Sequence, residues 1–270
     1  MLRSSNPVLS RQDAFTPGGQ QTQQYPQYPG QQGFGPQDPQ PGQGRMTLDD
    51  VVTKTGVMLG LVVIVAAAVF FFMPPSILYP AAIVASLATI VVVFVVAARR
   101  RISPALVGIF AVVEGVMVGG ISKIFESAYP GIVVQAVFAT FVAAALTLAA
   151  YKFFNIRVTP KFTKVVAIAT AAFAVTILLN FVLALLGVNG GAGLGLRSGV
   201  TGEVSLLAIG VSALAVVLAV LNLVLDFDYI ERGIQMGAPA SESWKAAFGL
   251  TVTLVWLYVE MLRIISYFRR

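Results

Sequence analysis

Cysteine, histidine and charge are what this chain lacks. Of its 270 residues none is Cys or His, and only 11% are charged, against about 25% in a soluble domain. Without Cys there is no disulfide framework and no thiolate metal site. Without His the usual proton switch near neutral pH is missing, so proton sensing falls to carboxylates. No HExxH-type motif or nucleophile–base pair is present, so we expect neither an enzyme nor a resident cofactor.

Apolar residues, by contrast, make up 57% of the chain. They form seven runs, each close to the roughly 20 residues that a membrane-spanning helix needs. None shows the alternating pattern of a membrane β-barrel strand. The sequence therefore predicts an all-α integral membrane protein, a seven-transmembrane-helix bundle. The runs lie at about 52–73, 80–98, 104–125, 131–154, 164–186, 204–226 and 246–268.

Residues 1–46 differ in composition from the rest of the chain. They are rich in Gln, Pro and Gly, and they contain too few apolar residues to offset the entropy cost of folding. We predict a disordered cytoplasmic tail over 1–46, whose partner the sequence does not identify. The transmembrane domain is predicted at 47–270.

The net charge of +6 comes from Lys and Arg residues that cluster between the apolar runs. Such clusters are typical of loops that stay on the cytoplasmic side of a membrane. With the N-terminus in the cytoplasm, most basic residues lie inside, in loops such as 99–101 and 152–164. We therefore expect membrane lipid as a partner and no nucleic acid.

The sixth run has one face of small or polar residues, and their spacing of three or four predicts a helix face that points into the bundle. Asp226 ends this face, where the sequence predicts an acidic turn at the cytoplasmic mouth. Asn222 precedes it by one helical turn and is a possible supporting residue. Asp228 lies on the opposite face and is expected to be solvated. The face comprises Ser205, Ala208, Ser212, Ala215, Ala219, Asn222 and Asp226.

The seventh run has a matching face that carries Glu260 in its interior. An ionisable residue inside a membrane helix is costly, so Glu260 is a candidate for an ion pathway. Arg263 lies three residues on and could instead neutralise it, and both interpretations stay open. The face comprises Gly249, Thr253, Trp256, Glu260, Arg263 and Tyr267.

A third acid, Glu114, is predicted near the middle of the third run. Gly115 and Gly119 follow it and form a small-xxx-small pattern that predicts close packing of two helices. If Asp226, Glu114 and Glu260 face one interior, they make a series of carboxylates that would favour cations such as Ca²⁺. No metal site is assigned.

Three short motifs resemble the Bax inhibitor-1 family, also called the transmembrane Bax inhibitor motif family, in a bacterial form. They are Leu225-Asp226-Phe227-Asp228-Tyr229-Ile230, Glu114-Gly115 with Gly119, and Leu257-Tyr258-Val259-Glu260 followed by Leu262-Arg263. The resemblance covers about Thr47 to Phe268.

The resemblance implies a seven-helix bundle with the last helix central and a pH-sensitive Ca²⁺ leak in the plasma membrane. In the family, an acid on helix six and an acid on helix seven share a hydrogen bond. Asp226 matches the first acid. The second is either Glu260 or is replaced by Thr253, in which case the two-acid sensor is broken. The alternative function is a non-transporting regulator of a membrane protease or stress-response complex.

Overall fold

The computed structural model describes residues 44–99, 102–154, 156–197 and 204–269. They form seven α-helices and no β-strand, and every helix is long and apolar enough to cross a bilayer. The predicted all-α, seven-span architecture is confirmed. The helices are α1 (Leu48–Phe72), α2 (Pro75–Ala98), α3 (Pro104–Ala128), α4 (Ile132–Phe153), α5 (Pro160–Leu185), α6 (Leu206–Gln235) and α7 (Glu242–Phe268).

Local sequence fixes where several of these helices begin. Thr47, Ser103 and Thr159 accept hydrogen bonds on their hydroxyl oxygens from backbone N–H groups in the first turns of α1, α3 and α5. Pro104 and Pro160 follow two of these caps, where proline costs no intrahelical hydrogen bond. These capping residues therefore define where α1, α3 and α5 begin.

The last helix is central. α7 packs against α1, α3, α4 and α6, and it buries more residues than any other helix in the described part of the chain. α2 packs on α3 and α5 packs on α6, so both lie at the periphery. Many large apolar side chains on these two helices are exposed, as expected for surfaces that face lipid.

The close contact predicted for Gly115 and Gly119 is confirmed between α3 and α1. A Cβ atom on Gly115 would lie 2.6 Å from the Cβ of Val65. One on Gly119 would lie 2.5 Å from the carbonyl oxygen of Ala66. Only glycine lets the two backbones approach this closely, because no real Cβ atom fits in either space.

The acidic turn predicted after Asp226 is wrong, because α6 continues through it to Gln235. Hydropathy falls after Asp226, but a helix needs backbone hydrogen bonds rather than apolar side chains to continue. Asp226 therefore lies within α6, about 14 Å before its last residue, and not at the end of the helix. Asp228 is not solvated either: its side chain is 15% exposed and its Oδ2 lies 2.8 Å from Arg232 Nε, one turn on.

Residues just before the predicted domain start at 47 make backbone hydrogen bonds to the α6–α7 connection. The amide of Met46 donates to the carbonyl of Ala238 (2.7 Å), and the amide of Ala240 donates to the carbonyl of Gly44 (2.8 Å). Lys54 also donates to the Ala240 carbonyl, at 3.1 Å. The start of α1 is thus fixed to the α6–α7 connection. Residues 1–43, nearly all of the predicted tail, lie outside the described residues.

Candidate functional site

Asp226 and Thr253 form a polar contact between α6 and α7. The Thr253 hydroxyl donates to Asp226 Oδ2 at 2.6 Å, and the Thr253 side chain is buried. Gly249, one turn before Thr253, makes room for the carboxyl group, since a Cβ there would lie 3.1 Å from Asp226 Oδ1. Of the two candidates on the last helix, Thr253 and not Glu260 therefore hydrogen-bonds to Asp226.

The small-residue face of α6 that leads to Asp226 points into the bundle, as predicted. Ala208, Ser212, Ala215 and Ala219 on this face are fully buried. Asn222 continues it toward α5, where its amide donates to Thr170 Oγ1 at 2.7 Å. Asn222 therefore attaches α5 to α6, and no hydrogen bond between Asn222 and Asp226 is seen in the described structure.

Glu260 lies two turns beyond Thr253 on the same face of α7, about 10 Å further along the helix. Its Oε1 accepts a hydrogen bond of 2.6 Å from Arg197 Nη2, and its side chain is only 2% exposed. Arg263 Nε lies 4.0 Å from Oε2 of the same carboxylate. Two guanidinium groups therefore surround one buried carboxylate.

Arg197 was not among the residues expected from the sequence to form the site. It belongs to the connection between α5 and α6, far from Glu260 in the chain, and its side chain is 13% exposed in the pair. Helical periodicity relates residues of one helix, so it cannot identify a partner that a loop supplies. The available signal was a lone Arg at the end of a glycine-rich stretch.

Glu114 lies in a third environment, between α3 and α2. Glu114 is 4% exposed, and in the described structure neither its Oε2 nor the nearby Thr89 Oγ1 of α2 has a hydrogen-bond partner. Glu114 is therefore a buried carboxyl group within the span of α3, separate from the Asp226–Thr253 contact.

The three predicted acids lie in separate environments in the described structure. Within the described ranges, none of Asp226, Glu114 and Glu260 makes a hydrogen bond to another, and no group of three or more acids could hold a metal ion. Glu260 is neutralised by arginine, whereas Asp226 has a neutral hydroxyl partner.

A family model described as Bax inhibitor 1 like matches residues 6–270. The chain belongs to the Bax inhibitor 1 like family. A comparison with curated proteins gives no match. The match extends beyond Thr47–Phe268, where the motifs lie, and includes most of the Gln-, Pro- and Gly-rich segment. Family membership and seven apolar helices identify a multi-pass membrane protein.

Proposed function

We propose that this Bax inhibitor 1 like protein is a pH-sensitive cation leak, with Ca²⁺ as the transported ion and the plasma membrane as its site. The observation that carries the proposal is the Asp226–Thr253 hydrogen bond of 2.6 Å inside the span. It joins α6 to the central helix through the one group of the pair that can change charge.

The proposed gating step is protonation of Asp226. The ionised carboxylate accepts a charge-assisted hydrogen bond from Thr253, which is stronger than a bond between neutral groups. Protonation weakens that bond and loosens the contact between α6 and α7. Thr253 does not ionise, so the hydrogen bond is strongest when Asp226 is charged. Lower pH protonates Asp226 and weakens the bond, so we expect flux to rise as pH falls.

Substitution of Asp226 by Asn tests the proposal. The amide is neutral at every pH, so the variant resembles the protonated protein. We expect Ca²⁺ flux into liposomes to vary between pH 5 and 8 for the wild type. Flux of Asp226→Asn should stay near the acid limit of the wild type throughout. Asp228→Asn is the matched control, because Asp228 pairs with Arg232 outside the α6–α7 contact; it should keep the wild-type pH profile.

An unchanged pH profile in Asp226→Asn would remove Asp226 from the gating step. The absence of flux above empty liposomes at every pH would favour the alternative function, a non-transporting regulator of a membrane protease or stress-response complex. In that case deletion of residues 1–43, which the family match largely includes, would test whether this segment recruits the partner.

A further inference from the structure

The connection between α5 and α6 folds back onto the helices. We call residues 186–197 the glycine-rich connection. Several of its residues have positive φ, a conformation that glycine adopts without the steric cost of a side chain. This backbone turns the chain toward the bundle instead of away from it. The residues with positive φ are Gly187, Asn189, Gly190, Gly191, Gly193 and Gly195.

The glycine-rich connection is fixed to α5 by a hydrogen bond to a side chain and by a close approach of the two backbones. The amide of Leu194 donates to Asn180 Oδ1 at 2.9 Å, and the Asn180 side chain is buried. A Cβ on Gly193 would overlap the carbonyl oxygen of Asn180. The connection therefore lies directly on the last turns of α5.

Arg197, at the end of the glycine-rich connection, reaches inward to the central helix. Its guanidinium binds Glu260 at 2.6 Å and lies 6.0 Å from the centre of the Phe173 ring on α5. Phe173 in turn stacks on Trp256 of α7, with ring centres 6.0 Å apart. Arg197 thus joins the peripheral helix α5 to the central helix α7.

We propose that Arg197, by binding Glu260, closes to water the end of the bundle that contains the glycine-rich connection. This inference deepens the proposed leak function and rests on it for its consequence, since Thr253 and Glu260 share one face of α7. An ion that follows this face past Asp226 meets the Arg197–Glu260 pair about 10 Å further along. The pair is then a second barrier, separate from the Asp226–Thr253 contact.

Arg263 makes the proposal testable by a single substitution. In Arg197→Gln, Glu260 keeps a cation nearby, because Arg263 Nε lies 4.0 Å from Oε2. The buried carboxylate is not left without a counter-charge, which would destabilise the fold. What is lost is the attachment of the glycine-rich connection to α7. Arg263→Gln is the matched control, because it removes a cation and leaves the Arg197–Glu260 hydrogen bond in place.

The readout uses the two tryptophans of the chain. Trp244 lies beside Lys54 near the start of α7. Trp244→Phe therefore leaves Trp256 as the single tryptophan, stacked on the Phe173 ring that Arg197 approaches. Excitation beyond the tyrosine absorption band then reports on Trp256 alone. In this background we expect Arg197→Gln to shift Trp256 emission to longer wavelengths and to raise its quenching constant for acrylamide. Arg263→Gln should match the parent. Asn180→Ala, which removes the anchor on α5, should raise quenching too, and it serves if Arg197→Gln does not fold.

Parallel measurements of Ca²⁺ flux separate this inference from the leak function. Increased quenching together with increased flux in Arg197→Gln supports both. Increased quenching without flux in any variant supports closure by Arg197 and contradicts the leak. Unchanged quenching in Arg197→Gln and Asn180→Ala, or an equal increase in Arg263→Gln, overturns the proposed role of Arg197 whether or not the protein conducts.

Discussion

At the scale of single residues, the proposed response to pH depends on the partner of Asp226. In the two-acid arrangement that the family resemblance implies, ionisation of both groups places like charges side by side, so the contact breaks as pH rises. Here Thr253 supplies a hydroxyl that stays neutral and donates to Asp226 at 2.6 Å. The contact is therefore expected to be strongest when Asp226 is ionised, so the proposed leak should have a pH dependence of the opposite sign.

Thr253→Asp should reverse the direction of the proposed pH response. The substitution restores two carboxyl groups across the α6–α7 interface, which share a proton at low pH and repel each other once both ionise. We expect flux that rises with pH, opposite to the wild type, in Ca²⁺ uptake by liposomes from pH 5 to 8. Thr253→Val, which cannot donate, should give high flux with little pH dependence.

Thr251 provides the control on the same helix. It is fully buried and donates to the carbonyl of Ala247 one turn earlier, so Thr251→Val alters α7 without touching Asp226. It should keep the wild-type profile. A Thr253→Asp profile with the same sign as the wild type would show that Asp226 is gated by a different partner.

The sequence placed Asp226 on the inward face of α6 but left its hydrogen-bond partner open. Asp226, Thr253 and Glu260 all follow from helical spacing, because the inward face of a membrane helix repeats every three or four residues. The choice between Thr253 and Glu260 needs the relative height of two helices, which periodicity does not contain. Arg197 was missed because it comes from a loop.

At the scale of helices, the sequence predicted all seven helices but placed the end of α6 too early. The seven apolar runs form helices because a membrane offers no water to the backbone. A helix lets each spanning segment hydrogen-bond its own N–H and C=O groups. α6 extends to Gln235, and Asp228 and Arg232 pair one turn apart on this polar part of the helix. The length of an apolar run indicates how much of a helix crosses the membrane, not where the helix ends. The sequence prediction therefore ended α6 too early.

The α1–α3 contact supports a prediction about stability. Gly119→Ala places a Cβ 2.5 Å from the carbonyl oxygen of Ala66, a backbone atom that cannot move aside. We expect overpacking to lower the stability by about 1–3 kcal/mol, seen as a lower Tm of the purified protein in detergent. Gly108 lies on the same helix, and a Cβ atom added there would have nothing within 4 Å, so this position offers a control.

Gly108→Ala should leave Tm unchanged or raise it slightly, because alanine is favoured over glycine by about 0.5–1 kcal/mol within a helix. Equal effects at both positions would mean that helix propensity, not the close approach of α1 and α3, determines the result.

At the scale of the whole molecule, the described basic residues divide unequally between the two ends of the bundle. One end contains the start of α1 and the α2–α3, α4–α5 and α6–α7 connections, and the other contains the end of α7. The first end has more basic residues, which by the positive-inside rule favours a cytoplasmic N-terminus. It includes Arg45, Lys54, Arg99, Lys152, Arg157, Lys161, Lys164, Arg232 and Lys245; the other includes Lys123, Arg197, Arg263 and Arg269.

The absence of cysteine from the chain makes this orientation directly measurable. Ser127, near the end of α3, and Lys161, in the first turn of α5, are both exposed and lie at opposite ends of the bundle. With a membrane-impermeant maleimide on intact cells, we expect Ser127→Cys to be labelled. Lys161→Cys should be labelled only after permeabilisation. The unsubstituted protein is the blank for both, since it has no thiol to react. The reverse pattern would place the N-terminus outside, and the basic α4–α5 connection would then lie on the side where the positive-inside rule does not expect it.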